Sequence, residues 1–163
     1  MRPFIDPQFL PLERTTQTTD MEKLEGIIFY SIDRAIRSYR QYAQQQIKKH
    51  GFTITIDQWL VIKCLIENPE ITQVELSERV FKDNASVTRI LALLVKAKYI
   101  RRRTSKTDRR RSQLTVTELG HETIEAVDKL VLKNRTHALQ GINPDDIAAA
   151  KRVMDAVTAN CIR

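Results

Sequence analysis

The residues in this sequence that could do chemistry are concentrated in one strongly basic segment near its middle. Seven of the fourteen residues from Arg101 to Leu114 are Lys or Arg, and a single acid, Asp108, lies among them. From Arg79 to Gln113 the net charge is +10, whereas the rest of the 163-residue chain carries −3. Because solubility does not require such segregation, the segment predicts a localised contact with a polyanion, DNA or RNA.

A helix inside this segment has the composition of a surface that contacts bases. Apolar residues recur at helical spacing from Asn84 to Ala97, and there is no acid between Asn84 and Leu94. With Val87, Ile90, Leu91 and Leu94 facing inward, the predicted outward residues are Asn84, Ala85, Ser86, Thr88, Arg89 and Ala92. Arg, Asn, Ser and Thr side chains can bond base edges in a major groove, so Asn84, Ser86, Thr88 and Arg89 are candidate DNA-binding residues.

A β-hairpin is predicted directly after this helix. Ile100–Thr104 and Ser112–Thr117 are short strands, with Ile100, Leu114 and Val116 as the inward residues. The connecting residues 105–111 supply further candidate DNA-binding residues, which are Lys106, Asp108, Arg109, Arg110 and Arg111. We expect the Asp108 carboxylate to orient the Arg110 guanidinium for a narrow minor groove. Asp108 also suits the turn itself, and the two roles are compatible.

Six helices must position these residues. Residues 1–18 form an arm, and a first helix is predicted from a Thr19–Glu22 capping box to Gly51. Further helices start after Thr55, Thr72, Thr117 and Asn143, each a suitable N-cap. The first helix would be roughly 45 Å long at ~1.5 Å per residue, which is more than this chain can bury against itself. Part of its apolar stripe, like that of the helix from Leu119 to Leu139, should therefore face another chain.

The predicted fold class is mainly α with a small β-hairpin wing (α+β), a winged helix-turn-helix with long N- and C-terminal dimerisation helices. The expected organisation is an N-terminal arm and dimerisation helix at 1–50, a winged helix-turn-helix lobe at 51–117 and C-terminal dimerisation helices at 118–163. The predicted dimerisation residues are Leu24, Ile28, Leu130, Ile147 and Met154.

Several classes of protein are disfavoured by what the sequence lacks. No run of 18 apolar residues or secretory signal pattern occurs, which argues against a membrane partner and for a cytoplasmic protein with reduced thiols. Cys64 and Cys161 match no metal spacing, and Cys64, within an apolar helix, is expected to be inert. We find no catalytic constellation and no phosphate-binding Gly-rich loop, so neither an enzyme nor a cofactor is expected.

The order of motifs resembles the MarR (multiple antibiotic resistance regulator) family. The resemblance rests on Thr72–Val80, Lys82–Leu91, Tyr99–Arg102, Thr107–Arg111 and Leu114–Gly120, and it covers nearly the whole chain. It implies a homodimer with intertwined terminal helices that presents two winged helices to a palindromic operator. On this pattern Asp108 and Arg110 are the wing-tip pair, and Ser86, Thr88 and Arg89 lie on the recognition helix.

The resemblance also implies a small-molecule effector, of unspecified identity, bound between the dimer helices and the DNA-binding lobe. Trp59 and Tyr30 are the candidate pocket residues, although large aromatic side chains are also expected in a core. One departure is Lys98, which stands where the family usually has Gly, so that a left-handed turn there would be strained.

Two functions remain open from the sequence. The first is a sequence-specific transcriptional regulator, a ligand-responsive repressor acting on double-stranded operator DNA. The alternative is a basic winged-helix module that binds RNA or a protein partner. The dimer helices favour DNA, because two half-sites one turn apart require a two-fold symmetric protein.

Overall fold

The computed structural model describes residues 23–104 and 112–162. The chain divides into two compact units, Met1–Ala35 and Ile36–Arg163. A 3₁₀ turn at Leu24–Gly26 precedes the regular elements, which are α1 (Ile28–Lys49), α2 (Ile56–Glu67), α3 (Gln73–Arg79), α4 (Asn84–Lys96), β1 (Ile100–Thr104), β2 (Ser112–Val116), α5 (Glu118–Ala138) and α6 (Pro144–Cys161). The mainly helical winged helix-turn-helix prediction is confirmed.

The start of the first helix differs from the prediction. The proposed cap at Thr19 and Glu22 lies outside the described residues, but the helix does not run unbroken through Leu24 as expected. Gly26 ends a 3₁₀ turn, Ile27 is extended with φ −79° and ψ 115°, and α1 begins at Ile28. Gly loses more backbone freedom in a helix than any other residue, which accounts for a break at this point.

The helix caps predicted from the sequence are present. The Thr55 hydroxyl accepts the Gln58 backbone N–H at 3.2 Å, and Gln58 Oε1 accepts the Thr55 N–H at 2.9 Å. Thr72 and Glu75 form the same reciprocal pair at the start of α3. The Asn143 side chain caps α6 by accepting the Asp145 N–H at 2.9 Å. These local bonds satisfy backbone donors that the first turn leaves free, so they fix where each helix begins.

The hydrophobic core of the second unit combines the end of α1 with α2, α3, α4, β1 and α5. Its fully buried side chains are Ile47, Ile54, Val61, Ile62, Leu76, Val87, Leu94, Ile100 and Val127. Leu130, predicted as a dimerisation residue, also packs in this core at 7% exposure, and its role in dimerisation stays a prediction. It lies on the same face of α5 as Ile124, Val127 and Val131, and these side chains pack in the core of the same chain.

The hairpin exposes all three arginines of β1, although successive side chains of a strand point to opposite faces, so that Arg102 shares the face of Ile100 while Arg101 and Arg103 lie on the other. β1 and β2 are antiparallel, with Ile100 opposite Val116 and Arg102 opposite Leu114. Ile100 is buried, and the partly buried Leu114 and Val116 pack against the core, as predicted. Arg101, Arg102 and Arg103 are exposed. The core therefore anchors one end of the hairpin while its basic side chains remain in solvent.

None of the helices in the described ranges combines the length and the apolar composition needed to cross a membrane.

Candidate nucleic-acid interface

The helix-turn-helix is closed by a left-handed residue between α3 and α4. Phe81 has φ +54°, its N–H donates to Glu78 O at 3.2 Å, and the Lys82 N–H donates to Ser77 O at 3.0 Å. This bond pair is a Schellman motif, which reverses the chain sharply at the end of a helix. The Phe81 side chain is 88% exposed, so the turn is held by backbone bonds and not by burial of this ring.

Asp83 caps α4, a role that we did not predict. Its carboxylate accepts the Ser86 backbone N–H at 2.7 Å and the Ser86 hydroxyl at 2.8 Å. These two hydrogen bonds, the backbone bond first, hold the pKa of Asp83 below its ordinary value. The sequence signal was available, since Asp directly before an apolar helical pattern is a preferred N-cap.

The outward face of α4 agrees with the prediction. Val87, Leu91 and Leu94 are buried and Ile90 is half-buried, whereas the opposite face exposes Asn84, Ala85, Thr88, Arg89 and Ala92, with Ser86 half-buried. Within the described part of the chain, no hydrogen bond or ion pair engages the Arg89 guanidinium. Its five donors are therefore available to a partner.

Two side chains of α3 form hydrogen bonds with predicted DNA-binding residues of α4. Gln73 Nε2 donates to Thr88 Oγ1 at 2.7 Å, and Ser77 Oγ lies 2.8 Å from Asn84 Oδ1. The Thr88 hydroxyl in turn donates to the Asn84 backbone O at 2.8 Å. Sequence reasoning missed Gln73 and Ser77, because their partners are 15 and 7 positions away and no local pattern marks these pairs.

The junction between α4, the wing and α5 is built from close backbone contacts. Lys98 has φ +63°, and the Tyr99 N–H donates to Leu94 O at 3.0 Å, a second Schellman motif with Lys in the position that favours Gly. Thr117 caps α5 and also donates its hydroxyl to Lys98 O at 2.7 Å. A Cβ on Gly120 would lie 2.3 Å from Tyr99 O, so α5 can approach this junction only with Gly at that position.

The wing tip is the part of the predicted interface that the structure does not test. Lys106, Asp108, Arg109, Arg110 and Arg111 lie outside the described residues, so their roles stay predictions. The described strand β1 brings three exposed arginines to the hairpin next to α4, which extends the basic surface beyond the recognition helix.

A cavity of about 520 Å³ lies beside α2 and α5. Its lining is Trp59, Leu60, Lys63, Cys64, Glu67, Arg79, Asp128, Val131, Leu132 and Arg135. Trp59 Nε1 donates to Asp128 Oδ1 at 2.7 Å, and Lys63 Nζ donates to Asp128 Oδ2 at 2.9 Å. The Arg135 guanidinium carbon is 5.9 Å from the Trp59 ring centroid, on the face where a cation is attracted.

The two predicted pocket residues have different outcomes. Trp59 is half-buried, packs against the core and also lines the cavity. Tyr30 belongs to the first unit and is 38% exposed, so the expectation of a core position was wrong, and its pocket role stays a prediction. Cys64, at the cavity wall, is buried, and burial raises the pKa of its thiol, in agreement with an inert side chain.

Helix α6 has no buried residue in the single chain, although it runs for 18 residues. Its predicted dimerisation residues Ile147 and Met154 are only half-buried. In the first unit, Leu24 and Ile28 are 58% and 55% exposed. Among the described residues, each unit thus exposes apolar side chains.

Comparison with known proteins identifies the family. The model of the MarR family matches residues 50–111. The HTH-type transcriptional regulator SarZ of Staphylococcus haemolyticus is 30% identical over 111 residues, which cover 66% of this chain and 71% of SarZ.

Solved structures show the same fold at lower identity. BpsR of Bordetella bronchiseptica, whose DNA binding is regulated by 6-hydroxynicotinic acid, superimposes with a TM-score of 0.76 at 19% identity, covering 84% of this chain and 96% of BpsR. Apo wild-type MarR of E. coli gives a TM-score of 0.67 at 20% identity, covering 80% and 96% of the two chains. The chain belongs to the MarR family of transcriptional regulators.

Proposed function

We propose that this regulator is a ligand-responsive repressor that binds a palindromic operator in double-stranded DNA as a homodimer. The observation that carries the proposal is the exposed face of α4, which has no acid from Asn84 to Leu94 and leaves Arg89 without a partner among the described residues. An ordinary exposed helix face would alternate acids and bases. A surface without acids instead suits the major groove, which lies between two rows of phosphates.

Arg89 is the residue that we assign to base reading. A guanidinium can donate two parallel hydrogen bonds to guanine O6 and N7, and a good pair of this kind discriminates against the wrong base by about 1–3 kcal/mol. The arginines of β1 and the wing-tip cations would contact phosphates or the minor groove, which adds affinity that falls with salt. Arg89 and the hairpin thus have separable roles, one in specificity and one in affinity.

The dimer follows from the uncovered apolar surface. An isolated helix of 18 residues is marginal in water, and most helices are stabilised by packing an apolar face. Because α6 buries none of its residues within the chain, a second copy that covers Ile147 and Met154 would supply this packing. Sedimentation should give about 38 kDa, twice the 18.9 kDa chain, and a folded monomer at low micromolar concentration would contradict the dimer.

The effector is assigned to the cavity lined by Trp59. An indole face, apolar walls and the cations Lys63, Arg79 and Arg135 suit a small aromatic acid, and Asp128 already pairs with Lys63. The regulation of BpsR by 6-hydroxynicotinic acid makes that compound a suitable first probe. Trp59 fluorescence on titration would report binding, and loss of the response in Arg135→Ala, with Lys49→Ala as a control away from the cavity, would assign the site.

A charge cluster offers a path from the helices to the DNA-binding turn. Asp57, at the start of α2, pairs with Arg40 of α1 and, at 3.3 Å, with Lys82 in the turn before α4. A displacement of α2 on ligand binding would therefore move Asp57 relative to both Arg40 and Lys82. We therefore expect Asp57→Asn to weaken the effector response more than it weakens DNA binding itself.

Fluorescence anisotropy tests DNA binding against the alternative function. The probes are the DNA upstream of the chain's own coding sequence, random duplex DNA and an RNA duplex of equal length. Arg89→Ala should cost ~1–3 kcal/mol on the cognate duplex and much less on random DNA, whereas Lys49→Ala should change neither. Equal binding of RNA, or equal losses on cognate and random DNA, would favour the basic module that binds nucleic acid without reading its sequence.

The wing-tip pair is tested by two substitutions. Arg110→Ala should weaken binding and lower the salt slope by about 1. If Asp108 orients Arg110, Asp108→Ala should also weaken binding, and the double variant should bind no worse than Arg110→Ala alone. Tighter binding by Asp108→Ala would show that the carboxylate only repels phosphate.

A role on chromosomal DNA is also the reason to propose a cytoplasmic location.

A further inference from the structure

We infer that Thr88 recognises a thymine through its methyl group, and that Gln73 is the positioning residue that presents it. The inference rests on the proposed function, because it requires α4 to lie in a major groove. Beyond the proposed function, it names Thr88 as a residue that determines specificity and thymine as the base that it selects.

The hydroxyl of Thr88 is already engaged within the protein. Oγ1 donates its single proton to the Asn84 backbone O at 2.8 Å and accepts a hydrogen bond from Gln73 Nε2 at 2.7 Å. A hydroxyl has one donor and two acceptor sites, so it has no proton left for a base. Both partners lie on the protein side, one in the preceding turn of α4 and the other on α3.

Thr88 is an exposed residue. With its proton and one of its two acceptor sites engaged, Oγ1 keeps a single lone pair, and Cγ2 is the apolar group that can meet a ligand. The major groove presents one apolar group, the C5-methyl of thymine, which pairs with side chains of this kind. Replacing the methyl–water contacts of both partners by a methyl–methyl contact is favourable, since apolar area leaves water.

Gln73 determines which rotamer Thr88 adopts. In helices the Thr side chain divides between two rotamers, because Oγ1 can bond carbonyls of the preceding turn in either. The 2.7 Å bond from Gln73 favours the rotamer seen here. Ser86 differs, because its hydroxyl proton is held by Asp83 but both lone pairs remain, so it can accept from an adenine or cytosine amino group.

The experiment starts from an operator that the wild-type protein selects from random duplexes. Each thymine is then replaced by deoxyuridine, which removes only the C5-methyl. We expect one thymine in each half-site to lose about three- to fivefold in affinity, the effect of one buried methyl group. Thr88→Val keeps the methyl and loses the hydroxyl, so it should bind and discriminate thymine from uracil like the wild type. Thr88→Ser keeps only the hydroxyl and should bind both duplexes with equal, lower affinity.

The outcomes separate the inference from the proposed function. If no sequence is selected, the proposed function fails. If a sequence is selected but every thymine tolerates deoxyuridine, or if Thr88→Ser discriminates like the wild type and Thr88→Val does not, the operator is real and the methyl contact is refuted. A loss at uracil that persists in Thr88→Ser would assign the contact to another residue such as Ala85. Gln73→Leu should reduce discrimination while folding normally by circular dichroism, and unchanged discrimination would overturn its positioning role.

Discussion

Lys98 should limit the stability of this fold, and its replacement by Gly should raise the free energy of unfolding. The residue has φ +63° at the end of α4, and its backbone N–H donates to Val95 O at 3.0 Å. The side chain is exposed and, within the described residues, makes no hydrogen bond or ion pair. Lys98→Gly therefore removes backbone strain without removing packing.

The size of the effect is the difference between two opposing contributions to the free energy of unfolding. A Cβ in the left-handed region costs roughly 1–2 kcal/mol through its clash with the following carbonyl. Gly also gives the unfolded chain more conformational freedom, which lowers the free energy of unfolding by about 0.4–1 kcal/mol. Because relief of the strain outweighs the added freedom of the unfolded chain, Lys98→Gly should stabilise the protein by about 0.5–1 kcal/mol.

Urea unfolding at one fixed protein concentration measures this difference, because the stability of a dimer depends on concentration. Lys98→Ala is the matched control, since it removes the same charge and keeps the Cβ. Lys98→Asn should fall between them, as Asn tolerates the left-handed region better than most residues. A Gly variant no more stable than the Ala variant would refute the argument that this turn is strained.

Three further predictions concern stability and reactivity. Gly120→Ala should destabilise the protein by about 1–3 kcal/mol or more, because its Cβ would meet Tyr99 O at 2.3 Å, and an unchanged urea midpoint would show that this junction yields easily. The lowered pKa of Asp83 means that its cap stabilises the fold above about pH 4 and that this stability is lost as pH falls through the folded pKa. Asp83→Asn should make stability less dependent on pH in the acid range, as followed by circular dichroism. An unchanged pH dependence would show that other carboxylates cause the loss of stability in acid. A thiol reagent should label the exposed Cys161 quickly and the buried Cys64 slowly in the native protein, and release of DNA by peroxide that Cys64→Ser abolishes would contradict an inert thiol.

Much of the fold was predictable because the signals are local. The caps at Thr55, Thr72 and Asn143 and the apolar spacing of α4 are contained within one or two turns of chain, and each was confirmed. The β-hairpin followed from a change of period from helix to strand. The break at Gly26 was missed because the apolar pattern continues through it and hides the interruption.

The candidate interface was predictable in its composition but not in its internal contacts. An acid-free α4 face identifies Arg89 and Thr88, but only three-dimensional packing shows that Gln73 engages the Thr88 hydroxyl. The core position of Leu130 was not predictable for a related reason, since periodicity shows that a residue is apolar on one face without showing which element covers it. The cavity beside Trp59 likewise depends on Asp128 and Arg135, far away in sequence.

The central claim is that the exposed face of α4 reads a DNA sequence in a two-fold symmetric arrangement. Selection of random-sequence duplexes by the purified protein, followed by sequencing, tests it most directly, with Arg89→Ala selected in parallel. We expect a motif of two inverted half-sites about one helical turn apart, and loss of one base preference per half-site with Arg89→Ala. No enriched motif, or one that Arg89→Ala leaves intact, would contradict it.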